Sequence, residues 1–441
     1  MSTKIFLAIL SAFLAVSIII GIAAPLADNA AARAAAQIAP VDDAWRAALP
    51  RDAAAATAAY MARLSPVAKA RSDAYFEGGY WLQIWNVIAT VLACWLVMAS
   101  GILGRLDSVL ERGPLRGVRR IVVPMAFILM LTVLTMPLGV FQGFYREQAY
   151  GLANQSFTAW LGELAISTAI ACLIGGLFLA AISRLLRKAP RTWWVWGTAV
   201  ALAFLVVGLM LSPVYIDPLF NTYKPLAEGP VKQAILSMAR ASGVPADNVY
   251  QMDSSKQSNR ISANVSGIFG SAAVRLNDNL LKRTTLPEIK GVMGHELGHY
   301  VLNHIYKMLL AFGLIIGIGF AFLNWSLSKS IARWGARFGI VDIADQRALP
   351  LLVALFTAYF FVMTPLTNSQ IRIDEVEADI FGLNAAAEPL GFAEVDLKLT
   401  EYRKSDPGEW EEFFFFDHPS PRKRIYSAMR WRAEHLPEPI R

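Results

Sequence analysis

The segment His295-Glu296-Leu297-Gly298-His299 is where this chain can do chemistry. Residues four apart share one face of a helix, so His295 and His299 can present ring nitrogens to a single metal ion. Glu296 sits beside that pair and is suited to take a proton from water rather than to join the ligands. Only five histidines occur in 441 residues, which gives the pairing weight against two solvated histidines on a helix. A catalytic zinc also needs a third protein ligand and one open position.

The run DEVEAD at 374–379 offers Asp374, Glu375, Glu377 and Asp379 for that role. Glu375 is preferred, although spacing alone leaves all four open. On a helix Glu375 and Asp379 share a face while Glu377 points away. With Glu375 on the metal, Asp379 is placed to accept a hydrogen bond from a ligand histidine. His418, in DHPSPRKRI with Arg424 behind it, can donate to the oxyanion formed when water attacks a peptide carbonyl. His304 is expected off the metal face in a structural role, and His435 in solvent. A serine or cysteine nucleophile is disfavoured: Cys94 and Cys172 lie inside apolar blocks, and no Gly-x-Ser-x-Gly elbow occurs.

These residues must be positioned by a membrane protein. The hydrophobic fraction is 55% and mean hydropathy is +0.42, with the excess gathered in blocks of bilayer-crossing length. Seven stretches are read, at about 4–25, 81–103, 121–144, 159–183, 193–214, 307–325 and 349–367. The first is read as a retained helix in preference to a cleaved signal peptide. The net charge of +7 resides in short loops, without a basic stripe interleaved with aromatics, so nucleic acid is not an expected partner.

The organisation follows as a first transmembrane helix at 1–25, an Ala-rich solvated helical insert at 26–80, and transmembrane helices at 81–214. The zinc-peptidase segment occupies 215–306, two further spans 307–367, and the C-terminal catalytic part with the third ligand 368–441. Within 215–306 the spacing predicts a helix over 229–242, strands near 248–252 and 272–276, and a helix opening near Pro287. Two spans separate the histidine pair from Glu375, which returns the chain to the bilayer face it left. Loops 104–120, 184–192 and 326–348 are rich in Arg and Lys and belong on the cytoplasmic side, which puts the catalytic segments opposite.

The ordered motifs resemble the CAAX prenyl protease family of membrane zinc peptidases. They are PVYIDPLFNTYKPLAEG at 213–229, SNRISANVSG at 258–267, RLNDNLL at 275–281, HELGHYVLNH at 295–304, EVEAD at 375–379 and HPSPRKRI at 418–425. The resemblance implies one zinc per chain on His295, His299 and Glu375, Glu296 as base and Asp379 behind a ligand. It implies substrate or transition-state contacts for His418 and Arg424, and Asn264 on an edge strand that holds the substrate backbone. The implied fold is mainly α, with about seven transmembrane helices enclosing a chamber and a zincin-like α+β catalytic domain carrying a small edge-strand sheet. Two departures stand out: NVSGIFG replaces an aromatic-rich NAYFYG-like run, and the insert at 26–80 has no eukaryotic counterpart. Eukaryotic members face the cytosol with the zinc site, opposite to the loop-charge reading.

The expected function is peptide-bond hydrolysis by a membrane zinc metalloendopeptidase of CAAX-processing type, in a bacterial inner membrane. Its expected partners are a peptide or protein substrate, prenylated on the strict reading, and the lipid bilayer; the oligomeric state stays open. A general membrane quality-control peptidase is the alternative. A non-enzymatic transporter or scaffold is disfavoured by the absence of an intramembrane charge pathway or paired half-helices.

Overall fold

The computed structural model describes residues 1–23, 38–267 and 272–436. Residues 24–37, holding the end of the first apolar stretch and the start of the insert, lie outside the described residues, as do 268–271 in the glycine-rich loop and 437–441.

The apolar stretches become α1 (Thr3–Ala23), α3 (Pro66–Ser100), α4 (Arg119–Val140), α5 (Phe157–Lys188), α6 (Trp193–Leu211), α9 (His304–Phe338) and α10 (Leu349–Ala386). Six helices among the described residues are long and apolar enough to cross a membrane, against the seven stretches expected. The remaining stretch is α1, whose described side chains end at Ile19. Phe6 of α1, Phe127 of α4, Trp193 of α6 and Phe320 of α9 are buried in one apolar core between these helices. Trp193 Nε1 donates to Asn324 Oδ1 at 2.8 Å, which satisfies its one polar atom there. The outer faces keep Trp85, Leu310, Ile318 and Val362 exposed, as helices solvated by lipid require.

The insert differs from the solvated hairpin expected at 26–80. Its short helix α2 (Ala53–Met61) buries Ala56 and Tyr60 against Leu383, Phe392, Ile425 and Met429 of the catalytic part. Small alanines allow that close contact, and Arg63 adds a forked pair to Glu394 at 2.6 and 2.8 Å. The boundary at residue 81 also moves, because α3 already begins at Pro66. Ser65 caps it by accepting from the Ala68 amide at 3.0 Å, and Pro66 suits a first turn.

The polar part between α6 and α9 holds α7 (Pro230–Ala241), α8 (Leu286–Val301) and a four-stranded sheet. The strands are β1 (Tyr223–Pro225), β2 (Val249–Met252), β3 (Ala263–Ser266) and β4 (Ala273–Asn277), ordered β1-β2-β4-β3. β2 and β4 are parallel, and the outer pairs are antiparallel. β3 is therefore an edge strand, with Asn264 opposite Arg275 and exposed. After α10 the chain adds α11 (Pro389–Leu399) and α12 (Pro421–His435).

Glycines set how closely α8 meets α10. A Cβ at Gly294 would stand 2.8 Å from the Gly382 carbonyl oxygen, one at Gly382 2.6 Å from the His295 nitrogen, and one at Gly298 3.1 Å from Ala378 Cα. With hydrogen in place of Cβ the two backbones touch, and this contact carries the site.

Candidate metal centre

His295 and His299 project from one face of α8, and α10 brings Glu375 against them. The two Nε2 atoms are 3.0 Å apart, and each lies 3.3 Å from a Glu375 oxygen. These are the separations that bonds of about 2.05 Å to one tetrahedral ion produce, roughly 3.3 Å. Glu375 is buried, and its Oε2 has no hydrogen-bond partner among the described residues. Electron-rich atoms packed together around an unsatisfied carboxylate oxygen suit a divalent cation, so the residues present fit a metal.

The outer nitrogens fix the tautomers. Asp379, one turn beyond Glu375, lies 2.7 Å from His295 Nδ1 and accepts a hydrogen bond from its N–H, leaving the Nε2 lone pair free. Arg424 grips Asp379 with two hydrogen bonds, at 2.8 and 2.5 Å, and meets Asp396 at 2.9 Å. One guanidinium shared by two buried acids leaves the second poorly compensated. Burial and the nearby Asp379 charge push the Asp396 carboxyl up to about 7, against the pull of Arg424.

His304 stays out of the ligand cluster but contacts a ligand histidine from behind. α8 stops at Val301, and Asn303 takes a left-handed conformation (φ 59°), which Asn tolerates better than most residues. The chain turns back there, and His304 Nδ1 comes to 2.8 Å from His299 Nδ1. With His299 Nε2 facing the cluster, its Nδ1–H donates to His304, whose Nε2–H donates to Glu377 at 3.1 Å. Lys307 completes the chain on Glu377 at 2.5 Å. His304, Asp374 and Glu377 also lie close enough to suggest a second metal group, but both His304 nitrogens and Glu377 are already committed. A helix extrapolated through Asn303 hides this arrangement, and the Asn-His pair was its only signal in the sequence.

His418 lies at the same centre, its Nε2 3.4 Å from Glu375 Oε1 and its Nδ1 2.8 Å from Asp417. Glu296 opens into a cavity of about 230 Å³ with His295, His418 and Asp396 on its walls. Burial pushes the Glu296 carboxyl up, against the pull of the two histidines. Residues 261–263 line this cavity, whereas residues 265–267 line another, of about 310 Å³, beside His299 and Tyr300. Asn264 stands on β3 between the two and is not among the residues brought to the metal cluster.

Apolar spanning helices joined to such a donor cluster define a metallopeptidase embedded in the membrane. The model of Peptidase family M48 matches residues 225–432, and that of the CAAX prenyl protease N-terminal region with five membrane helices matches residues 53–222. The chain belongs to the M48 peptidases of the CAAX prenyl protease type. It is 29% identical over 348 residues to the uncharacterized metalloprotease YhfN of Bacillus subtilis, covering 78% of this chain and 80% of that one. It is 27% identical over 321 residues to CAAX prenyl protease 1 of Saccharomyces cerevisiae, covering 67% and 68%. The crystal structure of S. mikatae Ste24p shares the fold, with a TM-score of 0.63 at 21% identity over 96% of this chain and 98% of that one.

Proposed function

We propose that the protein is a zinc-dependent endopeptidase in which His295, His299 and Glu375 hold the ion and Glu296 is the general base. The observation that carries this reading is the 3.0–3.3 Å triangle of ligand atoms around an otherwise unsatisfied Glu375 oxygen. Zinc bound there supplies Lewis acidity, polarising a peptide carbonyl and making water easier to deprotonate. Glu296, with its raised proton affinity, accepts the proton of the attacking water and passes it to the leaving amine. Asp379 and His304 hold the two imidazoles in their ligating tautomers. Arg424 orients Asp379 with two hydrogen bonds and also comes within 3.3 Å of His295 Nδ1, so it braces the ligand histidine at the wall of the Glu296 cavity. His418, oriented by Asp417, is the donor to the oxyanion. β3 offers its open edge to the substrate backbone at Asn264.

Replacing Glu296 by Gln is the test: purified protein keeps its zinc and loses peptide cleavage. Full activity in that variant rejects the base assignment. A prenylated protein terminus is the proposed substrate, supported by the relatives' names and by apolar side chains such as Ile305 and Met308 along the cavity beside His299. Equal rates on prenylated and unprenylated forms of one peptide favour a quality-control peptidase instead.

The proposed orientation in a bacterial inner membrane puts the basic loops in the cytoplasm and the catalytic part outside. Its support is that these loops share one end of the bundle, where Gln346 donates to Asp107 at 2.6 Å and Arg187 lies near Arg119, Arg120 and Arg184. Labelling of a cysteine introduced at Arg116 by an impermeant reagent in intact cells reverses it.

A further inference from the structure

Arg403 is half-buried, and among the described residues its guanidinium has no hydrogen-bond or ion-pair partner. It lines the 230 Å³ cavity that holds Glu296 and His418, and also a neighbouring cavity of about 380 Å³ reached past His418. The acids nearest this region feel Arg403 electrostatically but make their ion pairs with other groups, Asp396 through one oxygen with Arg424 at 2.9 Å and Asp417 with His418 at 2.8 Å. Arg146 and Arg260 add positive charge to the outer cavity, although Arg260 is held by Glu147 at 2.7 Å and by Tyr75 at 2.6 Å. A guanidinium without a partner at a cavity wall presents an open fork of hydrogen-bond donors, and the group that matches it is a carboxylate.

The two cavities flanking Asn264 differ in character. The one beside His299 presents Val265, Tyr300, Ile305 and Met308, and among the described residues no lysine or arginine. The one holding Glu296 is the leaving-group side, because the base that took the water's proton must hand it to the departing amine. We infer that Arg403 forms a carboxylate-reading subsite for the segment downstream of the scissile bond. The carboxylate is either the substrate's own C-terminus or an acidic side chain close to it. This rests on the peptidase reading above and adds a specificity determinant to it.

The test uses full-length, zinc-loaded protein in detergent and three quenched peptides identical upstream of the cut. One ends in a free carboxylate, one in a carboxamide, and one in a carboxamide with a downstream Gln replaced by Glu. A charge-assisted contact at a partly exposed site predicts roughly a tenfold advantage in kcat/KM for a carboxylate peptide over the plain amide, expressed in KM. Arg403→Gln brings that ratio close to one, and Arg403→Lys restores part of it. A preference for the free terminus identifies the C-terminal source, and one for the Glu peptide the side-chain source. Equal rates on all three peptides, or an unchanged ratio in R403Q with full zinc content, overturn the subsite while leaving the peptidase reading intact. Cleavage of none of the three by the zinc-loaded wild type overturns the peptidase reading, and the subsite with it.

Discussion

Replacing His304 by Leu tests whether the metal centre extends beyond the residues that touch the ion. The substitution removes the acceptor 2.8 Å from His299 Nδ1 and strands that N–H in a partly buried place. A lost neutral hydrogen bond is worth about 0.5–1.5 kcal/mol, and an unsatisfied buried donor about 1–3 kcal/mol. His299 keeps some exposure, so water recovers part of the loss and the net effect is about 1.5 kcal/mol, roughly a tenfold weaker zinc affinity. Competition with a chelating dye measures the dissociation constant, and thermal melting of the metal-free protein separates it from a general loss of fold. Asn at 304 offers an acceptor near the position of Nδ1 and should recover most of the affinity. Unchanged affinity in His304→Leu refutes the orienting role. So does an Asn variant as weak as Leu with the same drop in metal-free melting temperature.

Other expectations follow from the same geometry. Glu375→Ala removes the proposed carboxylate ligand and should abolish stoichiometric zinc by metal analysis of protein that still folds. Gly382→Ala drives a methyl into the His295 backbone, so it should lower the melting temperature and weaken zinc binding together, with Gly298→Ala milder. Asp396, pushed up to about 7 when folded, well above the ordinary aspartate range, keeps its proton in the native state over a range of pH where the unfolded chain has released it. Stability from this group should therefore be greatest below about pH 4, fall as pH rises to about 7, and level off above. Asp396→Asn should flatten that slope in melting curves taken across the range.

Much of the scaffold was legible because bilayer length and helical spacing leave strong marks. Each apolar stretch is helical over its described residues, and the strands expected near 248–252 and 272–276 form at Val249–Met252 and Ala273–Asn277. What escaped were features set by packing rather than by pattern. The start of α3 at Pro66 escaped because the residues before 81 were assigned to a separate solvated helical insert, whereas they continue the membrane helix. The buried face of α2 consists of alanines, which announce helix but not partner. His295, His299 and Glu375 could be proposed from spacing, resemblance and membrane parity. Asp396 and Arg403 could not, since a lone acid in VDLKL and a lone Arg in EYRKS carry no motif. Their surroundings come from segments far apart in the chain.

α10 runs unbroken over 38 residues from the bilayer to the catalytic part. Leu349 and Glu375 are therefore about 39 Å apart along the helix axis, at 1.5 Å per residue, with Pro365 between them. A tilt of only about 3° about its far end would swing the carboxylate by roughly 2 Å, as much as a whole coordination bond. Any change in the tilt of the membrane part of α10 would therefore be felt at the carboxylate. The glycine seam against α8 is the bearing that keeps this lever in register.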